Sequence, residues 1–207
     1  MIELYAADTP NGHRALIVLE ELGLPYNLNV VDVFKGGAST PEMLGLNPRG
    51  RVPILVDNAG TEEQRVVTQS WVIALYLARK HKRFIPADEI GADEVIEWLF
   101  HVGSDVMMVH STLNAVSNFV PEKTPSTIEF YQKRLIGILK NIDEHLSSHE
   151  YLAGDVSIAD FGLYPIYNYR RDFIGSQGEL PNLQRWGKQM DTRPGCIRGV
   201  SIIKERK

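Results

Sequence analysis

Four short stretches of this 207-residue chain carry the side chains best placed to do chemistry: Thr9-Pro10-Asn11-Gly12, the run Asn47 to Leu55 containing Val52-Pro53, Gln69-Ser70, and Ser157-Ile158-Ala159-Asp160. Ser70 heads an amphipathic segment. Its hydroxyl and the neighbouring backbone N–H groups can therefore receive a carboxylate at the positive end of a helix dipole, a role compatible with ordinary N-capping. Ser157-x-x-Asp160, ahead of Phe161, Leu163 and Tyr164, has the form of a capping box. No partner histidine is implied, so the pair reads as structural. Val52-Pro53 opens a short apolar run and, taken alone, reads as an edge-strand proline. Cys196 is the only cysteine. That excludes an internal disulfide framework, a CxxC pair and a multi-cysteine zinc site, so any thiol chemistry must use a ligand's thiol. The six histidines, at 13, 81, 101, 110, 145 and 149, show no HExxH or similar spacing, and no metal is expected.

The elements that must position these residues alternate at first. Ile2 to Ala6 reads as a strand, and Ala15, Val18, Leu19 and Leu22 then recur at the spacing of a helix with one buried face, which Gly23 ends. Tyr26, Leu28 and Val30 alternate as a second strand. Val52 to Val56 suits a buried strand, Val66-Val67 continues the sheet, and Ile73, Tyr76, Leu77 and Lys80 mark a helix from Ser70. This is an α/β unit over about residues 1 to 80. The run Arg79-Lys80-His81-Lys82-Arg83 reads as cations at a helix C-terminus leading into a solvated linker rather than a nucleic-acid patch. Beyond Pro86 strand alternation gives way to helical periods, broken at Pro121 and Pro125. An all-α domain is expected over residues 88 to 207, with helices near 90 to 117, 125 to 147, 157 to 172 and 182 to 192.

Composition narrows the function classes. A net charge of -4 offers no electrostatic invitation to nucleic acid. The N-terminus lacks the basic and apolar blocks of a signal peptide, and no apolar run approaches the ~18 residues of a membrane span, so a cytoplasmic location without a membrane is expected.

The order and spacing of the four motifs resemble the glutathione transferase superfamily, in particular the bacterial Nu class and the yeast nitrogen-regulator type. The run from Thr9 to Pro53, including Lys35-Gly36-Gly37, carries most of the likeness. The resemblance implies a thioredoxin-like first domain and a helical second domain, a homodimer, and glutathione as co-substrate. It implies a cis peptide bond before Pro53, which turns the Val52 N–H and C=O toward an extended peptide. It places the γ-glutamyl carboxylate at Ser70 and the glutamyl ammonium at Gln69, where many relatives carry Glu. Lys35 is a candidate partner for the glycyl carboxylate or a solvated loop lysine. Asn11 and Thr9 are the implied catalytic donors. A free thiol has a pKa near ~8.5, and lowering it by two units takes ~2.7 kcal/mol, of which a hydroxyl or amide N–H can supply a share. Tyr5, in a strand, reads as a packed aromatic.

In the second domain His101, Asp105 and Met108 share a helix face that in the family borders the acceptor pocket, although a methionine stripe is more often core. Phe130 departs from the Nu class, which has there an Arg reaching the partner subunit's glutathione; Lys133 and Arg134 lie close by. The implied activity is glutathione transfer to an electrophile, as in detoxification, or glutathione-dependent disulfide reduction on a small disulfide substrate. The alternative is a non-catalytic regulatory or assembly module on the same fold.

Overall fold

The computed structural model describes residues 1–58, 60–178 and 180–205. In the first unit, strand β1 (Ile2–Ala6) leads into helix α1 (Pro10–Leu22) and strand β2 (Tyr26–Val30). After two short 3₁₀ turns and helix α2 (Pro41–Leu46) come β3 (Ile54–Asp57), β4 (Arg65–Thr68) and α3 (Ser70–His81). The strands form one sheet in the order β2-β1-β3-β4. β1 and β2 pair in parallel, as a βαβ crossover requires, and β1–β3 and β3–β4 are antiparallel. Ile2, Leu4 and Ala6 alternate inward, whereas all of β3 is buried, which is why its sequence reads as an unbroken apolar run.

Helix α1 buries Ala15 to Leu19. Thr9 caps its start by accepting from the Gly12 N–H, and Gly23, at φ 68°, closes its end in the left-handed conformation that glycine adopts without penalty. α3 ends on Arg79, Lys80 and His81, with Lys82 as a left-handed cap, so the basic run meets the negative end of the dipole as expected.

The second unit spans Phe84–Met190. It contains α4 (Glu89–Phe100), a π-helical segment (His101–Val106), α5 (Met107–Asn118), α6 (Pro125–His145), α7 (Ile158–Ser176) and α8 (Pro181–Met190). The expected α/β first part and all-helical second part are both present. The helix expected to run unbroken from 90 to 117 instead widens into a π turn at 101 to 106. Gly103 lies in that turn, and the Ser104 hydroxyl donates to the Phe100 carbonyl at 2.9 Å, which competes with the regular ladder. α7 is the core of this unit, buried continuously from Ile158 to Tyr167. Its start is the capping box read from sequence: Asp160 accepts from the Ser157 N–H at 2.9 Å and its hydroxyl at 3.1 Å.

A last helix, α9 (Pro194–Glu205), has no counterpart in the sequence reading, which carried the helical domain to residue 207. The chain from Asp191 onward groups with Met1–Arg83 rather than with the helical unit. The reason is a close helix pair. A Cβ on Gly199 would lie 2.7 Å from the Ile17 nitrogen, and one on Gly195 2.7 Å from that of Glu21. Arg193 adds a 2.5 Å pair with Glu21. Cys196 is a buried thiol on this helix. Among the described residues no helix is long and apolar enough to cross a membrane.

Candidate functional site

The ladder brings two of the motifs side by side. Ile54 pairs with Thr68, so the residues just outside that rung, Pro53 and Gln69, lie at the same end of the β3–β4 pair. Tyr5 pairs with Ile54 on the other side, which carries the β1–α1 loop to the same place. The Val52-Pro53 bond is cis. A cavity of about 270 Å³ is lined by Asn11, Asn47, Arg51, Val52, Pro53, Gln69 and Ser70. A neighbouring cavity of about 590 Å³ shares Asn11, Arg51 and Val52 and adds Ala7, Thr9, Gly36, Arg49 and others. Six of the seven residues assigned from sequence to glutathione or its thiol thus line one connected pair of cavities.

Each group is held by local structure. Thr9 Oγ accepts from the Gly12 N–H at 3.2 Å, and its own hydroxyl proton remains available to the cavity. Gly12 has to be glycine, because a Cβ there would run into the Ala7 carbonyl. Asn47, itself buried, donates to the Arg51 carbonyl at 2.7 Å and accepts from the Arg49 N–H at 3.2 Å, pinning the loop before Pro53. Ser70 is buried at the first turn of α3, a turn without acidic residues, as is that of α1. Both dipoles present positive ends there, and Arg49 and Arg51 line the same cavities. A chain of net charge -4 therefore keeps a locally positive site.

Gln69 stands in an unusual backbone conformation, φ 71° and ψ 118°, immediately before α3. Non-glycine residues in such regions cost about 1–3 kcal/mol and persist where a function or the surroundings demand them. Gln69→Gly is accordingly expected to raise stability by about 1 kcal/mol, net of glycine's extra chain entropy. The same change removes the amide and is expected to weaken glutathione binding, whereas Gln69→Ala loses the amide and keeps the strain. Thermal unfolding and glutathione titration of the two variants separate these effects.

Not every assigned residue joins this group. Lys35 lies on a further cavity, with Asp8 and Val30 to Phe34, that shares Ala7 and Val33 with the 590 Å³ one, and its exposed ammonium sits 3.4 Å from Asp32. The cations that line the site's cavities are Arg49 and Arg51, which the sequence reading passed over as parts of a loop. Tyr5 packs against Met43, Ile54 and Val56, as a packed aromatic should. Burial, with Glu42 and Glu3 nearby, pushes its hydroxyl above the usual phenol range.

In the second unit His101 and Met108 are placed differently. His101 is hydrogen-bonded to Asp105 at 2.8 Å and, with Trp98, borders a cavity of about 290 Å³, while Met108 is exposed. Phe130 is exposed, and Lys133 is drawn to Glu129 at 2.6 Å.

The residue that sequence reading missed altogether is Arg14. It is fully buried and donates through Nη1 to Asn11 Oδ1 at 2.8 Å and to Ser70 Oγ at 2.7 Å. Its guanidinium lies 3.4 Å from the centroid of the Trp71 ring. Desolvation pushes its pKa down to about 9, which still leaves it a cation at neutral pH. Its spacing was the available signal: Arg14 falls three residues after Asn11 and one turn before buried Val18, where an unpaired charge would be costly.

Comparison with known proteins agrees with this geometry. The family model described as glutathione S-transferase, N-terminal domain, matches residues 9–80, and that described as glutathione S-transferase, C-terminal domain, matches residues 108–194. The disulfide-bond oxidoreductase YfcG of Escherichia coli is 31% identical over 208 residues, covering 99% of this chain and 95% of that protein. The glutathione transferase URE2P6 from Phanerochaete chrysosporium, solved with oxidized glutathione, superposes with a TM-score of 0.90 at 31% identity, over 100% of this chain and 97% of the other. A glutathione transferase family member from Pseudomonas fluorescens, solved with two glutathione bound, has a TM-score of 0.88 at 26% identity, covering 96% and 92%. With both domain models matched in order and a relative similar over nearly its whole length, the chain belongs to the glutathione S-transferase family.

Proposed function

We propose that this protein binds glutathione along Val52-Pro53, anchors its γ-glutamyl end at Gln69-Ser70, and holds its thiol as thiolate with Asn11 and Thr9, for attack on a disulfide or an electrophilic carbon. The observation that carries this reading is the convergence of those six residues on one connected pair of cavities. Arg49 and Arg51 join Lys35 as candidate partners for the glycyl carboxylate.

Disulfide reduction is the favoured chemistry, because a relative similar over nearly its whole length is a disulfide-bond oxidoreductase and a structural neighbour holds two glutathione molecules. The glutathione thiolate attacks one sulfur of the substrate disulfide, forming a mixed disulfide and expelling the other sulfur as a thiolate. A second glutathione thiolate then attacks the glutathione sulfur of that mixed disulfide, giving glutathione disulfide and the second substrate thiolate. Both nucleophiles come from glutathione, since the one protein cysteine is buried in α9. With an electrophilic carbon the same thiolate forms a thioether and the leaving group departs with the bonding electrons. In this reading the working form is a cytoplasmic homodimer.

Retention on immobilised glutathione, with turnover of hydroxyethyl disulfide exceeding that of chlorodinitrobenzene, is the expected result. Retention without either turnover would replace the enzyme with a non-catalytic binding module. Failure to be retained would overturn the reading itself.

A further inference from the structure

Asn11 and Ser70 belong to two different helices, yet a single buried nitrogen joins them: Arg14 Nη1 donates to Asn11 Oδ1 at 2.8 Å and to Ser70 Oγ at 2.7 Å. An arginine has donors only, so what it contacts must accept. An asparagine amide can otherwise turn either its oxygen or its nitrogen outward, and a serine hydroxyl can donate or accept. With the Asn11 oxygen committed to Arg14, the other arm of the amide, the Nδ2–H₂, is the one left for the cavity that Asn11 lines. With a Ser70 lone pair committed, its proton is free to be given away. Among the described residues, the other use shown for that proton is a long 3.4 Å contact to Asn11 Oδ1, which an incoming carboxylate replaces.

We propose that Arg14 is a positioning residue that locks Asn11 and Ser70 as hydrogen-bond donors, so that the site is set for a thiolate at Asn11 and a carboxylate at Ser70 before ligand arrives. The proposal rests on the glutathione reading above. Arg14 touches neither ligand group itself. It acts from beneath, held against Trp71 and closed off from solvent, so the orientation it imposes does not depend on the bound ligand. Preset donors need no reorientation when charge arrives, which is the condition under which such groups stabilise an anion most.

Arg14→Met keeps roughly the volume and removes every donor. Two readouts then respond that simple loosening of the fold would not move together. In the ligand-free protein, the side-chain amide resonances of Asn11, identified by their loss in Asn11→Ala, shift or broaden in Arg14→Met and recover in Arg14→Lys. In the glutathione complex, the pH midpoint of thiol ionisation, followed by thiolate absorbance, rises by about one unit in Arg14→Met, equivalent to tenfold less thiolate stabilisation, and returns toward wild type in Arg14→Lys. Should Arg14→Met fail to fold, Asn11→Asp tests the same lock. Its carboxylate pairs with Arg14 and preserves stability, but it presents no donor, so the midpoint is expected to rise above that of free glutathione. An Asn11→Asp protein that keeps a low midpoint, or an Arg14→Met protein with wild-type amide signals and midpoint, overturns the lock while leaving glutathione binding in place. A wild-type protein that does not bind glutathione overturns both.

Discussion

Asn11→Ala is expected to lower glutathione-dependent turnover roughly 10²-fold, the range seen when one preorganised donor to a developing anion is deleted, while changing glutathione affinity only a few-fold. The difference between the two numbers follows from what Asn11 contacts. In the proposed binding mode its amide faces the thiol, whereas Val52, Gln69, Ser70 and the arginines that line the cavities hold the rest of the peptide. The variant is also expected to lose about 1–3 kcal/mol of stability, because Arg14 is buried and loses one of its acceptors. Turnover is therefore compared well below the unfolding transition, with single-turnover thiol transfer to a disulfide as the measurement. Thr9→Val removes the other donor together with the cap on Gly12, and its smaller loss of turnover is accompanied by a cost of about 1 kcal/mol for the cap.

The largest effect on stability is expected from Asp160→Ala. The Asp160 carboxylate is fully buried and accepts from the Leu152 N–H at 3.1 Å, the Ser157 N–H at 2.9 Å, the Ser157 hydroxyl at 3.1 Å and the Trp186 indole N–H at 2.9 Å. It joins the start of α7 to the loop before it and to α8. Burial pushes its pKa up, and the four donors oppose that shift. Removing it leaves two backbone N–H groups and an indole N–H without this acceptor in the core, so a loss of about 3–5 kcal/mol is expected. That is a large share of a typical 5–15 kcal/mol total. Asp160→Asn keeps the volume and one acceptor oxygen but turns an NH₂ toward groups that are themselves donors, and is expected to fall between wild type and Ala. Urea unfolding of the three proteins gives the order. The site itself is not the readout, because Asp160 lies in the helical unit and Asn11 in the other.

The elements legible in the sequence were those whose burial is repetitive. β1 and β3 read correctly from alternation and from an unbroken apolar run, and α1 and α3 from spacings of three and four. Ser157 and Asp160 were legible because a capping box is a local pattern. The Asn11, Val52-Pro53 and Gln69-Ser70 stretches were legible through resemblance, and only the tertiary register explains why they meet: the β3–β4 ladder sets Pro53 beside Gln69, and β1 delivers the α1 start to the same end.

What stayed hidden depended on long-range partners. Arg14 looks like a surface charge until Asn11, Ser70 and Trp71 are seen around it. α9 escaped because its packing face is built partly from Gly195 and Gly199, which show no hydrophobic period and matter only through close approach to Glu21 and Ile17. The break at His101–Val106 depends on one serine back-bonding within an otherwise helical sequence.

The central claim is that this chain binds glutathione and ionises its thiol without a cysteine of its own. It is tested most directly by following thiolate absorbance of the wild-type protein with glutathione across pH. The expected midpoint lies one to two units below the ~8.5 of a free thiol. A midpoint equal to that of glutathione in solution, at concentrations where the peptide is bound, would contradict it.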